Sequence, residues 1–196
     1  MGIDSVAGPQ PRAVFLDRDG VLNRAVMRAG IPYPPANRQE LELIPEAPRA
    51  LAFLKAMGFL LLVVTNQPDV ARGTQSRSEV EAIHDLLRAQ LPIDEFFVCY
   101  HDDRDQCDCR KPKPGLLLQA RSRYGVNLED SFLIGDRWKD IDAGRCVGCQ
   151  TIWVDYSYAE RGPSAVPSAT VPSLGEAVAF IGKRIGKSAA WDEWGA

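Results

Sequence analysis

The sequence predicts an α/β fold in which a parallel sheet carries helices on both faces. Two observations predict it. Short apolar runs without polar alternation recur along the chain, as strands buried on both faces require. Between them lie segments whose apolar residues repeat at helical spacing, so the order reads strand, helix, strand. Right-handed crossovers then bring the carboxyl ends of the strands to one edge, where such sheets bind ligands. The 196 residues, 45% of them apolar, suffice for one domain with a full core and are few for two. The expectation is therefore a single Rossmann-like domain over 1–196, with a core of about 13–185 and a tail, 186–196, that either docks or is disordered.

Each element has its own signal. Ala13-Val-Phe-Leu16 is a run of β-formers ending on the charged tetrad Asp17-Arg-Asp-Gly20. Phe59 to Thr65 repeats the pattern and stops at Asn66-Gln67-Pro68; Ser131-Phe-Leu-Ile134 stops at Gly135-Asp136. A further strand is expected at Thr151–Val154. Ala47, Ala50, Leu51, Leu54 and Met57 mark a helix with Pro45 near its start and Gly58 after its last turn. A second helix is expected to begin at Ser78, whose spacing to Glu81 suits a capping box, and to end at Pro92. Others are expected at about Pro114–Tyr124, Lys139–Val147 and Leu174–Ile185. The stretches Ala25–Arg38, Cys99–Pro114 and Asp155–Pro172 read as irregular.

Composition narrows the partners. A net charge of −3 gives no basic excess for nucleic acid, no apolar run reaches the roughly 18 residues of a membrane span, and Met1–Arg12 lacks the pattern of a leader. A cytoplasmic monomer acting on a small soluble molecule is expected.

The chemistry sits at the strand ends. Asp17 and Asp19 place two carboxylates within one turn, which calls for a cation or a shared proton. Thr65, Asn66 and Gln67 offer a hydroxyl and amide donors suited to phosphate oxygens. Lys111, in Arg110-Lys-Pro-Lys-Pro-Gly115, brings positive charge just before a helix start, where free N–H groups also favour an anion. Asp136 and Asp140 add carboxylates after the third run. Singly, each is also what a solvated acidic turn, an ordinary turn, a basic loop or a helix-dipole charge looks like. Together they fall in order on one sheet edge, which none of those readings explains.

Phe15-Leu-Asp-Arg-Asp-Gly-Val21, Val64-Thr-Asn66, Lys111 and Gly135-Asp-Arg-Trp-Lys-Asp140 together resemble the four motifs of the haloacid dehalogenase superfamily of phosphatases, over about Ala13 to Asp155. The resemblance implies that Asp17 is the nucleophile and Asp19 the general acid and then base. It implies that Asp17, Asp136 and the Asp19 carbonyl oxygen hold Mg²⁺. Thr65 and Lys111 would bind the phosphoryl oxygens, and Asp140 would support Lys111 or a metal-bound water.

Cys99-Tyr-His101 and Cys107-Asp-Cys109 make a Cys₃His set, a composition typical of structural Zn²⁺. Buried free cysteines beside an unrelated histidine are the alternative. Cys146 and Cys149 read as packing residues. The zinc loop resembles the branch containing D-glycero-D-manno-heptose 1,7-bisphosphate phosphatases and histidinol-phosphate phosphatases, which lack a large cap domain. In that branch Arg18, Arg110 and Arg137 match sugar-phosphate contacts, with Asn66 and Gln67 beside them. Arg24, Arg28 and Arg38, with no acid between them, lean toward an anionic sugar; a histidinol phosphate is the alternative and a silent zinc-binding scaffold a remote one.

Overall fold

The computed structural model describes residues 10–187. Six strands among them form one sheet: β1 (Ala13–Leu16), β4 (Leu60–Asn66), β5 (Glu95–Cys99), β6 (Phe132–Gly135), β7 (Gln150–Val154) and β8 (Ala169–Val171). Their spatial order is β5-β4-β1-β6-β7-β8 and every pairing is parallel. The chain runs outward from β1 on one side through β4 and β5, then crosses back to β6 on the other. That reversal beside β1 is the switch point at which such sheets open a crevice.

Alternation within β1 divides the core. Val14 and Leu16 face one cluster, packed by α1 (Ala47–Ala56), α2 (Arg77–Gln90) and α5 (Leu174–Arg184). Ala13 and Phe15 face the other, packed by α3 (Gly115–Tyr124) and α4 (Trp138–Cys146). All four β1 side chains are fully buried. Truncating a buried Leu or Phe of this kind costs about 2–5 kcal/mol, so the strand ends are held by a stiff interior.

The expected elements are present, with four departures. The second helix begins after Ser76, whose hydroxyl accepts from the Glu79 N–H; Ser78 lies inside the helix. Strand β5 was absent from the sequence reading. The stretch Ala25–Arg38 contains an antiparallel hairpin, β2 (Val26–Arg28) and β3 (Ile31–Tyr33), and the stretch Asp155–Pro172 contains β8. The hairpin turns at Ala29 and Gly30, both at positive φ (50° and 78°), a geometry matched to the twist of two paired strands. Among the described residues this hairpin, the loop Cys99–Pro114 and the segment after β7 are what cover the sheet edge; no large cap domain is present. The expected tail feature at Trp191–Trp194 lies outside the described residues.

Candidate active site

A cavity of about 260 Å³ opens over the carboxyl ends of β1, β4 and β6. Asp17 follows β1, with its N–H donating to Ile134 O at 3.0 Å, so the neighbouring strand fixes the Asp17 backbone. Lys111 crosses from the loop before α3. Its ammonium lies 2.9 Å from Asp17 Oδ1 and 2.5 Å from Asp140 Oδ1, and donates to Val64 O at 2.7 Å. Asn66 clamps the Lys111 backbone in both directions, donating to its carbonyl (3.0 Å) and accepting from its N–H (3.1 Å). Asp140, the third residue of α4, accepts from Arg137 N at 3.1 Å. It thus caps the helix with one oxygen and pairs with Lys111 through the other.

The carboxylates of Asp17, Asp136 and Asp140 converge to within 4.8 Å of one another, all buried. Burial, then repulsion by Asp140, pushes Asp17 up to about 7 against the pull of Lys111. Burial and the Asp17 charge raise Asp136 well above the carboxylate range. Asp136 Oδ1 is buried without a hydrogen-bond partner. A cluster of buried oxygens with one lysine between them fits a hard divalent cation such as Mg²⁺. Backbone geometry favours the same reading: Gly20 has φ +88°, and a Cβ there would lie 1.9 Å from Asp136 Oδ2, so only glycine lets the two loops meet.

Asp19 is held differently. Its carboxylate accepts from Arg18 Nε and Nη2 (3.0–3.1 Å), Asn23 Nδ2 (3.0 Å) and Gln67 Nε2 (2.9 Å). Gln67 also reaches Thr65 Oγ1 at 2.9 Å. Arg18 and Gln67 are fully buried beneath the acidic loop and do not line the cavity. The expectation puts both at the substrate; here the side chain after Asp17 points to the opposite face of the chain, into the core, and both side chains reach Asp19. Arg24, Arg28 and Arg38 are also outside the cavity lining. Arg24 pairs with Glu42 and Arg38 with Glu79, while Arg28 lies over the Tyr33 ring.

Asp17, Asp19, Thr65, Asn66, Arg110, Lys111, Asp136, Arg137 and Asp140 do meet at the cavity. Arg110 is fixed by Asp103 at 2.7 Å and Arg137 by Glu160. The sequence reading missed Glu160, and also Tyr158, whose hydroxyl hydrogen-bonds Asp136, and Arg72 and Lys139 on the cavity wall. The signal for Tyr158 and Glu160 was available, since both follow β7 on the same sheet edge.

Cys99, His101, Cys107 and Cys109 converge beside the cavity. The Sγ–Sγ separations are 3.3–3.7 Å, and His101 Nδ1 is 3.3 Å from Cys109 Sγ and 3.7 Å from Cys99 Sγ. Four ligands about 2.0–2.3 Å from one ion lie at roughly such spacings, so the set fits tetrahedral Zn²⁺. Cys109 leads directly to Arg110 and Lys111. Cys146 is exposed and Cys149 buried, both free.

Among the described residues no helix is long and apolar enough to cross a membrane. The haloacid dehalogenase-like hydrolase family model matches residues 35–148. The D-glycero-beta-D-manno-heptose-1,7-bisphosphate 7-phosphatase of Pseudomonas aeruginosa is 36% identical over 152 residues, covering 72% of this chain and 79% of that one. The D-glycero-alpha-D-manno-heptose-1,7-bisphosphate 7-phosphatase of Mycobacterium tuberculosis is 38% identical over 151 residues, with 70% and 77% covered. The crystal structure of a D,D-heptose 1,7-bisphosphate phosphatase from B. bronchiseptica, complexed with magnesium and phosphate, superposes with a TM-score of 0.77 at 26% identity, covering 88% of this chain and 99% of that one. With these matches and the acidic cavity at its sheet edge, the chain belongs to the haloacid dehalogenase-like hydrolases.

Proposed function

We propose that the protein is a Mg²⁺-dependent phosphomonoesterase that works through an aspartyl phosphate on Asp17 and removes the 7-phosphate of D-glycero-D-manno-heptose 1,7-bisphosphate. The observation that carries the reading is the contact of the Lys111 ammonium with Asp17, 2.9 Å, on the floor of a cavity whose other carboxylates suit a divalent cation. When bound, Mg²⁺ held by Asp17, Asp136 and the Asp19 carbonyl oxygen supplies neutralisation of the phosphoryl charge. Lys111 and Thr65 hold the phosphoryl oxygens. An Asp17 carboxylate oxygen attacks phosphorus, the bond from phosphorus to the sugar oxygen breaks, and Asp19 gives that oxygen its proton. Asp19 then takes a proton from water, whose oxygen attacks phosphorus and frees Asp17 and inorganic phosphate.

Arg18, Asn23 and Gln67 orient Asp19 and stabilise it as the carboxylate left after proton donation. Zn²⁺ on the Cys₃His set is structural in this reading, because four protein ligands leave no open position. The substrate assignment rests on the named relatives and on the cations Arg72, Arg110, Arg137 and Lys139 around the cavity, which suit an anionic sugar better than the imidazole and ammonium of histidinol phosphate. The protein is read as a single-domain monomer of the cytoplasm.

Replacing Asp17 with Asn tests the chemistry. It removes the nucleophile with little change in volume, so aryl phosphate turnover should fall to background while the melting transition persists. Turnover close to that of the wild type would sink the assignment of Asp17 as nucleophile, whereas a wild type that releases no phosphate would revive the reading of a zinc scaffold without catalysis.

A further inference from the structure

The cations around the cavity are not equivalent. Arg72 is matched by Asp102 at 2.6 Å and Asp69 at 3.4 Å, Arg110 by Asp103 and Arg137 by Glu160. Lys111 is already engaged by Asp17 and Asp140. Lys139 lines the same cavity, yet no carboxylate among the described residues pairs with it; the Trp138 ring, with its centroid 5.4 Å from the ammonium, is its neighbour.

Three features make this an unsatisfied charge. Lys139 is the second residue of α4, where the helix dipole disfavours a cation and favours an anion. It is partly buried, and Arg110 and Arg137 press on it with like charge, only in part offset by Asp103 and Glu160. It also precedes Asp140, the Lys111 partner, and successive helical residues diverge by about 100°. Lys139 therefore does not share Asp140's direction toward Lys111.

We infer that Lys139 binds the second anionic group of the substrate, the phosphate that is not transferred. An anion there would meet Lys139 together with Arg110 and Arg137, which line the same cavity, near the amino end of α4, and would relieve the repulsion of the two arginines on Lys139. Lys139 is then a determinant of specificity, acting on binding and not on phosphoryl transfer. This rests on the reading of the substrate as a sugar bisphosphate.

The test compares kcat/KM for heptose 1,7-bisphosphate with that for heptose 7-phosphate in the wild type, Lys139→Met and Lys139→Arg. The wild type should favour the bisphosphate. Lys139→Met should lower that preference at least tenfold, through KM, and Lys139→Arg should keep it within about threefold of the wild type, since one cation replaces another. A preference unchanged in Lys139→Met, or equal losses on both substrates, overturns the inference while leaving the functional reading intact. A wild type with no preference for the bisphosphate overturns the substrate reading and the inference with it.

Discussion

Nη1 of Arg18 lies 3.2 Å from Nε2 of His84, and both side chains are fully buried. A guanidinium can only donate, so Nε2 accepts and His84 is the neutral tautomer with its proton on Nδ1, facing Glu81 Oε2 at 3.4 Å. The remaining edge of Arg18 grips Asp19. Burial and the Arg18 charge push His84 down to about 4. The unfolded chain therefore takes up a proton near its ordinary value of 6.5 that the folded chain refuses until about 4. Stability should fall by up to about 3 kcal/mol as pH drops through that window and level off below it. His84→Gln keeps an acceptor for Arg18 without a titrating ring. Chemical denaturation from pH 7 to 4 should show a shallower loss for this variant; parallel curves would contradict the assignment.

In the proposed reaction Asp19→Asn removes the proton donor but leaves the nucleophile. With a sugar phosphate, whose alkoxide is a poor leaving group, kcat should drop by about 10² to 10⁴. An aryl phosphate with a leaving group of low pKa should suffer at least tenfold less. Equal losses on both would mean that Asp19 serves some other purpose, such as holding the acidic loop in shape.

The metal site has its own pH dependence. Asp17, raised to about 7 in the absence of a cation, is favoured in its protonated form, and ionising it as pH climbs from the ordinary carboxylate value toward 7 costs stability. Mg²⁺ reverses that sign by displacing the proton. Titration calorimetry should show Mg²⁺ affinity rising by up to about tenfold per pH unit for each proton released, then flattening above pH 7. Affinity independent of pH between 5 and 7 would contradict the buried carboxylate cluster.

Much of this architecture is legible in the chain. β1, β4, β6 and β7 announce themselves as apolar runs, and the first three end on residues of the cavity. β5 does not, because Phe96-Phe97-Val98 is short and follows Asp94-Glu95; β8 has three residues in a stretch rich in Ser and Pro. The hairpin hides behind Pro32, Pro34 and Pro35. The start of α2 offered two Ser-x-x-Glu patterns, and tertiary contacts choose between them: Glu79 accepts from Arg38 N, while Glu81 is taken by His84 and Tyr100. In the site, residue types reveal the reacting groups but not direction. Nothing in Asp17-Arg-Asp19 says that the arginine turns inward to His84, sixty-six residues away in sequence.

The Cys₃His loop gives a further expectation. Cys107→Ser removes one thiolate from a set whose neighbours Cys109, Arg110 and Lys111 continue straight into the cavity. Bound zinc, measured by native mass spectrometry, should fall, and KM for phosphate esters should rise several-fold as Lys111 loses its fixed loop. The Mg²⁺ requirement should be unchanged. Full zinc content with wild-type kinetics would exclude the site.

The most direct measurement follows heptose 1,7-bisphosphate by ³¹P NMR as purified protein and Mg²⁺ are added. The account predicts that the C7 phosphate resonance is lost, that the C1 resonance persists, and that one equivalent of inorganic phosphate appears, with no reaction in the Asp17→Asn variant. Loss of the C1 phosphate, or an inert heptose bisphosphate beside rapid turnover of histidinol phosphate, would contradict it.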